Sequence, residues 1–87
     1  MIVIEYFHNP VCPYCPAAMS LLTKVIEGLN DIKLIDVNTY TEEGIHRGMS
    51  LNLMAVPAIV INGVVKLTGW PFEVEDLLAC INEAREK

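Results

Sequence analysis

Two cysteines, Cys12 and Cys15, stand two residues apart in the stretch VCPYC and are the residues best suited to chemistry. Thiols at this spacing can bind a metal, lie inert in a core, or exchange electrons as a dithiol–disulfide pair. A structural zinc site uses four ligands, usually from two such pairs, and the other candidates, Cys80, His8 and His46, form no second pair. The sequence therefore favours thiol–disulfide exchange over a zinc site or a purely structural role, and predicts no metal site.

The residues after the cysteines follow a helical pattern. The apolar positions at three- and four-residue steps are Ala18, Met19, Leu22, Val25 and Ile26. We predict a helix from Pro13 to Gly28 with Cys12 at its N-cap, where free N–H groups and the helix dipole stabilise a thiolate. This position is expected to lower the pKa of Cys12 below that of free cysteine. Pro16 is an irregularity, because at the fourth helical position it could not donate to the Cys12 carbonyl.

The spacing divides the reaction between the two sulfurs. Cys12 is the predicted nucleophile, which attacks a substrate disulfide and forms a mixed disulfide. Cys15 lies about one helical turn further on and is predicted to be more buried. It is the predicted resolving cysteine, which releases the reduced substrate and leaves a Cys12–Cys15 bond, so the pair is a redox-active disulfide.

The rest of the chain alternates strands and helices. The predicted strands lie at 2–7, at 31–38 and as two arms within 56–67, and the other helices at 41–53 and 72–85. The first strand is an apolar run that we expect to be buried on both faces. Asn62-Gly63 predicts the two-residue turn of the hairpin. The residues expected to face inward from the last helix are Val74, Leu77, Leu78 and Ile81.

The order β-α-β-α-β-β-α is that of an α/β fold. A parallel β-α-β unit followed by a hairpin predicts a four-stranded mixed sheet, with three helices on both faces. A chain of 87 residues is short for two cores, so we expect one domain spanning 1–87.

Composition limits the partners. The chain is 53% hydrophobic and carries a net charge of −5, which disfavours a nucleic-acid backbone as partner. No apolar run reaches the roughly 20 residues of a membrane span, and no signal peptide is recognisable. Three cysteines do not fit a secreted disulfide scaffold. We expect a cytoplasmic monomer without nucleic-acid or membrane partners.

Four signals occur in one order: CPYC after the first strand, Val56-Pro57 at the third, Asn62-Gly63 at the hairpin and Gly69 after the fourth. Over about residues 2–84 the chain resembles the thioredoxin superfamily, and within it glutaredoxins and short archaeal-type thioredoxin-like proteins. The resemblance implies a thioredoxin-like fold. It also implies that Val56-Pro57 is cis and lies against the cysteines, with the Val56 backbone pairing with an extended substrate segment. The expected substrate-binding residues are Pro13, Tyr14, Val56, Pro57, Gly69 and Trp70.

The chain departs from glutaredoxins where they bind glutathione. Glutaredoxins usually have a basic residue at the position of Asn9, a threonine at that of Ala55, and a second glycine followed by an aspartate where Trp70 and Pro71 stand. The charged ends of glutathione would therefore be poorly paired.

The chain also departs from thioredoxins at one position below the cysteines. Thioredoxins usually carry a buried aspartate where Tyr6 stands. Glu5, one residue earlier, is expected to point to the other face of the strand and is not assigned as a proton acceptor.

These residues predict an enzyme, a protein-disulfide reductase without a cofactor, fed by a thioredoxin-reductase-type flavoprotein. Its potential is expected on the order of −230 to −280 mV. One alternative is a glutathione-dependent glutaredoxin with glutathione as donor. The other is a metal or iron–sulfur carrier, which Pro13 disfavours because cluster-binding relatives tend to have a different residue there.

Four further residues receive predictions. Cys80 is expected to be a small buried hydrophobe, and His8 a solvated loop residue, with the alternative that it donates to a thiolate or a substrate. Tyr14 is expected to flank the nucleophile. Trp70 is expected either to bind proteins or to pack against the last helix.

Overall fold

A computed structural model describes residues 2–53 and 55–85. The elements are β1 (Ile2–His8), α1 (Cys15–Ile26), β2 (Ile32–Asn38), α2 (Glu42–Ser50), β3 (Ala58–Ile61), β4 (Val64–Thr68) and α3 (Val74–Arg85). The predicted order of elements is confirmed. The predicted helices begin one or two residues before the observed helices, and the first two also end two or three residues after them, whereas the end of the last helix at Arg85 agrees.

The four strands form one mixed sheet in the order β2-β1-β3-β4. β1 and β2 are parallel, in a register that runs from Ile2 beside Ile32 to His8 beside Asn38. β3 is antiparallel to both β1 and β4. The carboxyl ends of β1 and β2 therefore meet at one edge, and the cysteine loop leaves the sheet from that edge.

The sheet is covered on both faces. One hydrophobic cluster joins the even-numbered residues of β1 to α1 and α3, and includes Ile4, Leu22 and Leu77. A smaller cluster on the opposite face contains Phe7, with Val60 and residues that follow α2. β1 is almost entirely buried, as its apolar run predicts.

Glu5 is the buried charge on the α2 side of β1. Its carboxylate accepts two hydrogen bonds from the Arg47 guanidinium of α2, at 2.6 and 2.8 Å. A two-point contact of this kind fixes the orientation of both side chains. It ties α2 to the sheet, and it places Glu5 on the face opposite Tyr6, away from the cysteines.

The packing of α3 differs from the prediction at two residues. Leu77 and Ile81 are buried, but Val74 and Leu78 are exposed. Leu78 is rotated about 100° around the helix from Leu77, and Val74 lies a turn before Leu78 on the same side. The core-facing stripe is therefore narrower than the apolar positions suggested.

The hairpin turn forms as predicted. Asn62 and Gly63 both adopt positive φ, 51° and 83°, which is the backbone of a type I′ turn. The Asn62 side chain also accepts a hydrogen bond from the Val3 N–H at 2.9 Å, which joins the turn to β1.

Candidate active site

The two cysteines are joined in a disulfide at the start of α1, with their Cα atoms 5.5 Å apart. Cys12 lies in the loop after β1, and its N–H donates to the Asn9 carbonyl at 3.3 Å. The two residues differ in burial: Cys15 is 4% exposed, whereas Cys12 is half-buried. Cys12 is therefore the more accessible sulfur-bearing residue of the pair, as predicted.

The prediction that Cys12 caps the helix is wrong. The helix begins at Cys15, with Tyr14 as N-cap, and its first hydrogen bond runs from the Ala18 N–H to the Tyr14 carbonyl at 3.0 Å. Pro16 explains the shift. In the first turn its missing N–H removes no helical bond, whereas a start at Pro13 would place it where that bond is needed. Cys12 then precedes the helix, near an N-terminus whose N–H groups have no helical acceptors.

Tyr6 of β1 is hydrogen-bonded to the turn that carries the cysteines. It is buried, and its hydroxyl donates a hydrogen bond to the Cys15 carbonyl at 2.5 Å. Burial and then the negative charge of Asp36 raise the pKa of Tyr6 to about 12. The hydroxyl therefore stays protonated, and remains a donor, throughout the neutral pH range. The sequence marks this position only as a departure from the thioredoxin pattern, and the support it gives to Cys15 was missed.

Val56-Pro57 is cis, as the resemblance implies. Pro57 is buried, and its carbonyl accepts a hydrogen bond from the Gly69 N–H at 2.7 Å. Gly69 has a φ of 78°, a conformation that glycine adopts without a Cβ clash. This contact places Gly69 beside Pro57. Trp70-Pro71 is also cis, which the sequence reading did not anticipate.

Apart from Pro57 and Gly69, the predicted substrate-binding residues fall into two groups. Cys12, Val56 and Trp70 pack against the same hydrophobic cluster as Cys15. The Trp70 ring also makes an edge contact with Phe72, the centroids being 5.1 Å apart. Pro13 and Tyr14 instead lie on the exposed loop, and the Tyr14 side chain is 54% exposed.

A cavity of about 290 Å³ adjoins the disulfide. Its lining includes Cys12 and Cys15, together with Tyr6, His8 and Asp36. His8 Nε2 and Asp36 Oδ1 are hydrogen-bonded to each other. The His8 ring stacks on Tyr6, with centroids 5.5 Å apart and planes 14° apart.

The prediction that His8 is a solvated loop residue is wrong. It is the last residue of β1 and is half-buried. Neither the His8–Asp36 pair nor Asp36 itself was singled out from the sequence. The available signal was the parallel pairing of the two strands, which brings side chains at their carboxyl ends to one edge.

A groove of about 330 Å³ is lined in part by Val56. Asn9 and Ala55 line it, with Ile45 and Met49 of α2. Met49 is 72% exposed and Ile45 is also exposed, so the groove offers an apolar wall next to the cis-proline segment.

No lysine or arginine is among the described residues that line either the cavity or the groove. Asn9, at the position where glutaredoxins usually carry a cation, instead accepts a hydrogen bond from the Val11 N–H at 3.0 Å. Within residues 2–53 and 55–85, no three His, Cys, Asp or Glu side chains are grouped as metal ligands.

Cys80 is not part of the disulfide and lies on α3. It is half-buried beside the larger hydrophobic cluster, more exposed than the predicted small buried hydrophobe. Burial is the main cause that raises the pKa of the Cys80 thiol. The thiol is therefore a weaker nucleophile at neutral pH than an unburied cysteine.

The fold and the cysteine pair define a class, the thioredoxin-fold dithiol–disulfide oxidoreductases. Residues 2–82 match the model of a family described as the thioredoxin domain, and the chain belongs to that family. With the Cys12–Cys15 pair in this fold, the chain is a protein-disulfide oxidoreductase.

Two curated relatives cover most of the chain. A probable thioredoxin from Methanothermobacter thermautotrophicus is 41% identical over 86 residues, which is 95% of each chain. A thioredoxin from Methanocaldococcus jannaschii is 38% identical over 68 residues, covering 78% of this chain and 79% of its own.

Solved structures share the fold at lower identity. A thioredoxin-like protein from Clostridium perfringens superimposes with a TM-score of 0.80 at 17% identity, over 97% of this chain and 71% of its own. A structure of ferredoxin:thioredoxin reductase with thioredoxin f2 gives a TM-score of 0.76 at 21% identity, over 97% and 77%. In the described part of the chain no helix is long and apolar enough to cross a membrane.

Proposed function

We propose that Cys12 is the nucleophile and Cys15 the resolving thiol in the reduction of protein disulfides by this chain, acting as one domain over 1–87. The observation that carries this assignment is the asymmetry of the pair. Cys12 is half-buried in a loop, and Cys15 is buried in the first turn of α1. A substrate sulfur can approach the first of these residues and not the second.

The reaction proceeds in two exchanges. The Cys12 thiolate attacks one sulfur of the substrate disulfide, forms a mixed disulfide and expels the other substrate sulfur as a thiolate. The Cys15 thiolate then attacks Cys12 Sγ, breaks the mixed disulfide and releases the second substrate thiolate. Two electrons pass from the dithiol to the substrate, and the substrate thiolates take up two protons.

Substrates are proposed to bind around the cis-proline segment. Val56 offers its backbone to an extended segment of the substrate. Pro13 and Tyr14 lie in the loop between the two cysteines, and Pro57 is proposed to lie against the cysteines on the sheet side. Gly69 is held next to Pro57 by a hydrogen bond of 2.7 Å, and Trp70 follows it.

The apolar groove lined by Ile45 and Met49 extends this surface. An apolar substrate side chain in this groove would remove both residues from water. Buried apolar surface at the centre of an interface is where binding energy is concentrated. The groove therefore favours unfolded or extended protein segments over small polar disulfides.

The electron donor is proposed to be a reductase protein, of the thioredoxin-reductase flavoprotein type. One fold neighbour was solved in complex with a ferredoxin:thioredoxin reductase, so a donor of that class is included in the test. Glutathione is disfavoured because it carries two carboxylates, and no lysine or arginine is among the described residues that line the cavity beside the disulfide or the groove beside Val56. We propose that the protein acts as a monomer in the cytoplasm.

Reduction of insulin by dithiothreitol tests the assignment of the cysteines. The chain should accelerate it, Cys12→Ser should abolish the acceleration, and Cys80→Ser should leave it intact. A Cys12→Ser variant as active as the unmodified chain would contradict the assignment.

The oxidised chain is then offered a thioredoxin-reductase flavoprotein, a ferredoxin-dependent reductase, or glutathione with its reductase. Recycling by glutathione alone would favour the glutaredoxin alternative.

A further inference from the structure

The cavity beside the disulfide contains a pair of polar side chains to which the reaction above gives no role. His8 and Asp36 are hydrogen-bonded to each other there, and Cys12 and Cys15 line the same cavity of about 290 Å³. One water molecule occupies about 30 Å³ in the liquid. The cavity therefore has room for water between the imidazole and the sulfurs.

The second exchange requires a proton acceptor. Cys15 must attack as a thiolate, yet the residue is buried, and burial disfavours the charged form of a thiol. Its proton has to leave before or during the attack on Cys12. A base within reach through one water would accelerate this step.

We propose that His8, held by Asp36, accepts the proton of the Cys15 thiol through water in this cavity. The inference rests on the proposed function of the cysteines. The proton leaves Cys15 Sγ for the imidazole, a bond forms between Cys15 Sγ and Cys12 Sγ, and the bond from Cys12 to the substrate sulfur breaks. The electron pair of that bond leaves with the substrate thiolate, which takes up a proton.

The partners of the imidazole prepare it for this role. The Asp36 carboxylate accepts from Nε2–H, which leaves Nδ1 with the lone pair that a base requires. The stacked Tyr6 ring holds the imidazole plane on one side. The Asp36 side chain is 57% exposed and that of His8 25%, so an accepted proton can pass on to solvent.

The other titratable groups facing His8 do not fit the role. On β1, the Tyr6 hydroxyl is committed to the Cys15 carbonyl and its pKa is raised to about 12. On β2, Asp36 is engaged with the imidazole itself. Glu5 lies on the opposite face of the sheet, paired with Arg47. Among the described residues that line this cavity, the remaining titratable groups are Cys12 and Cys15.

The experiment separates the two exchanges. A Cys80→Ser background leaves two thiols in a chain that has three. The reduced protein is mixed in a stopped-flow instrument with a small excess of dithiobis(nitrobenzoate), whose two coloured thiols are released in sequence. Attack by Cys12 on the reagent releases the first coloured thiol and gives the first kinetic phase. Attack by Cys15 on the resulting mixed disulfide releases the second coloured thiol and gives the second phase. Absence of both phases in the unmodified background would contradict the proposed function, whereas the inference about His8 concerns the second phase alone.

His8→Gln should slow the second phase about tenfold or more at pH 7 and leave the first unchanged. The deficit should shrink as pH rises, because hydroxide increasingly removes the Cys15 proton. His46→Gln, which alters the other of the two histidines on the exposed surface of α2, is the matched control and should change neither phase. A second phase that is unchanged in His8→Gln, or lowered equally at every pH, would overturn the inference.

Asp36→Asn tests the pair as a unit. Asp36 is a positioning residue for His8, so Asp36→Asn should slow the second phase less than His8→Gln does. The double variant should be no slower than His8→Gln alone, because both changes remove one function. Fully additive losses would show that Asp36 does not act through His8.

Discussion

The Tyr6 hydroxyl donates a hydrogen bond to the Cys15 carbonyl at 2.5 Å, and so joins the centre of the sheet to the turn that carries both cysteines. This carbonyl belongs to the first turn of α1, next to a proline that has no N–H to offer. The contact places a buried phenol next to the Cys15 carbonyl, at a position where thioredoxins usually have an aspartate.

Tyr6→Phe is expected to lower the free energy of unfolding by about 1 kcal/mol, because the hydrogen bond from the buried Tyr6 hydroxyl to the Cys15 carbonyl is lost. Chemical denaturation of the oxidised protein measures the change. Tyr40→Phe alters an exposed tyrosine and should change stability by no more than about 0.5 kcal/mol. Equal effects of the two substitutions would show that the hydrogen bond does not support the fold.

The same tyrosine predicts a loss of stability at alkaline pH. Its pKa is raised from 10.0 to about 12 in the folded state, so the folded protein holds this proton more tightly than the unfolded chain does. The contribution is fully present below pH 10 and is lost as pH rises towards 12. The stability difference between the unmodified chain and Tyr6→Phe should therefore shrink between pH 9 and 11.5. A difference that grows over this range would contradict the direction of the shift.

Gly69→Ala should destabilise the protein by about 1–2 kcal/mol, because its φ of 78° forces an added Cβ into the left-handed region. It should also slow insulin reduction, since the Gly69 N–H positions the Pro57 carbonyl. Gly28→Ala is the matched control, because no positive φ and no atom within 4 Å oppose a Cβ there. A Gly69→Ala variant as stable as Gly28→Ala would show that the strained backbone is not required.

The apolar groove predicts a specificity change. Met49→Glu should raise the KM for insulin about five- to tenfold, because a charge would then border the groove that takes apolar side chains. The rate with dithiobis(nitrobenzoate) should not change, since that small substrate does not reach Met49. Val64→Glu adds the same charge at an exposed site on β4 and should leave both rates intact. Equal losses with both substrates would indicate that Met49 supports the cysteines rather than the substrate.

Local patterns were sufficient to predict the fold. The strand of apolar residues and the Asn62-Gly63 turn depend on neighbours in sequence. The apolar stripe of α1 does not define where the helix starts, because Pro16 also decides where the first helical hydrogen bonds can form. That proline removes no helical hydrogen bond when the helix starts at Cys15, and it would remove one if the helix started at Pro13.

Of the residues in the site, only those that belong to a recognisable sequence motif could be predicted. The cysteines and Val56-Pro57 are recognisable by spacing and order. The His8–Asp36 contact joins residues 28 positions apart, and it depends on the register of β1 against β2 and not only on the presence of the strands. The support of Cys15 by Tyr6 likewise requires knowing which face of β1 the helix covers.

The reactivity of Cys12 depends on its position beside the N-terminus of α1. The most direct measurement is the rate of iodoacetamide alkylation of the reduced protein against pH, followed at each cysteine by peptide mass spectrometry. The midpoint pH of the Cys12 curve should lie well below the pKa of free cysteine, which is about 8.5. The Cys80 curve should rise at higher pH, because burial raises the pKa of that thiol. A Cys12 midpoint at or above that of free cysteine would contradict the assignment of Cys12 as the nucleophile.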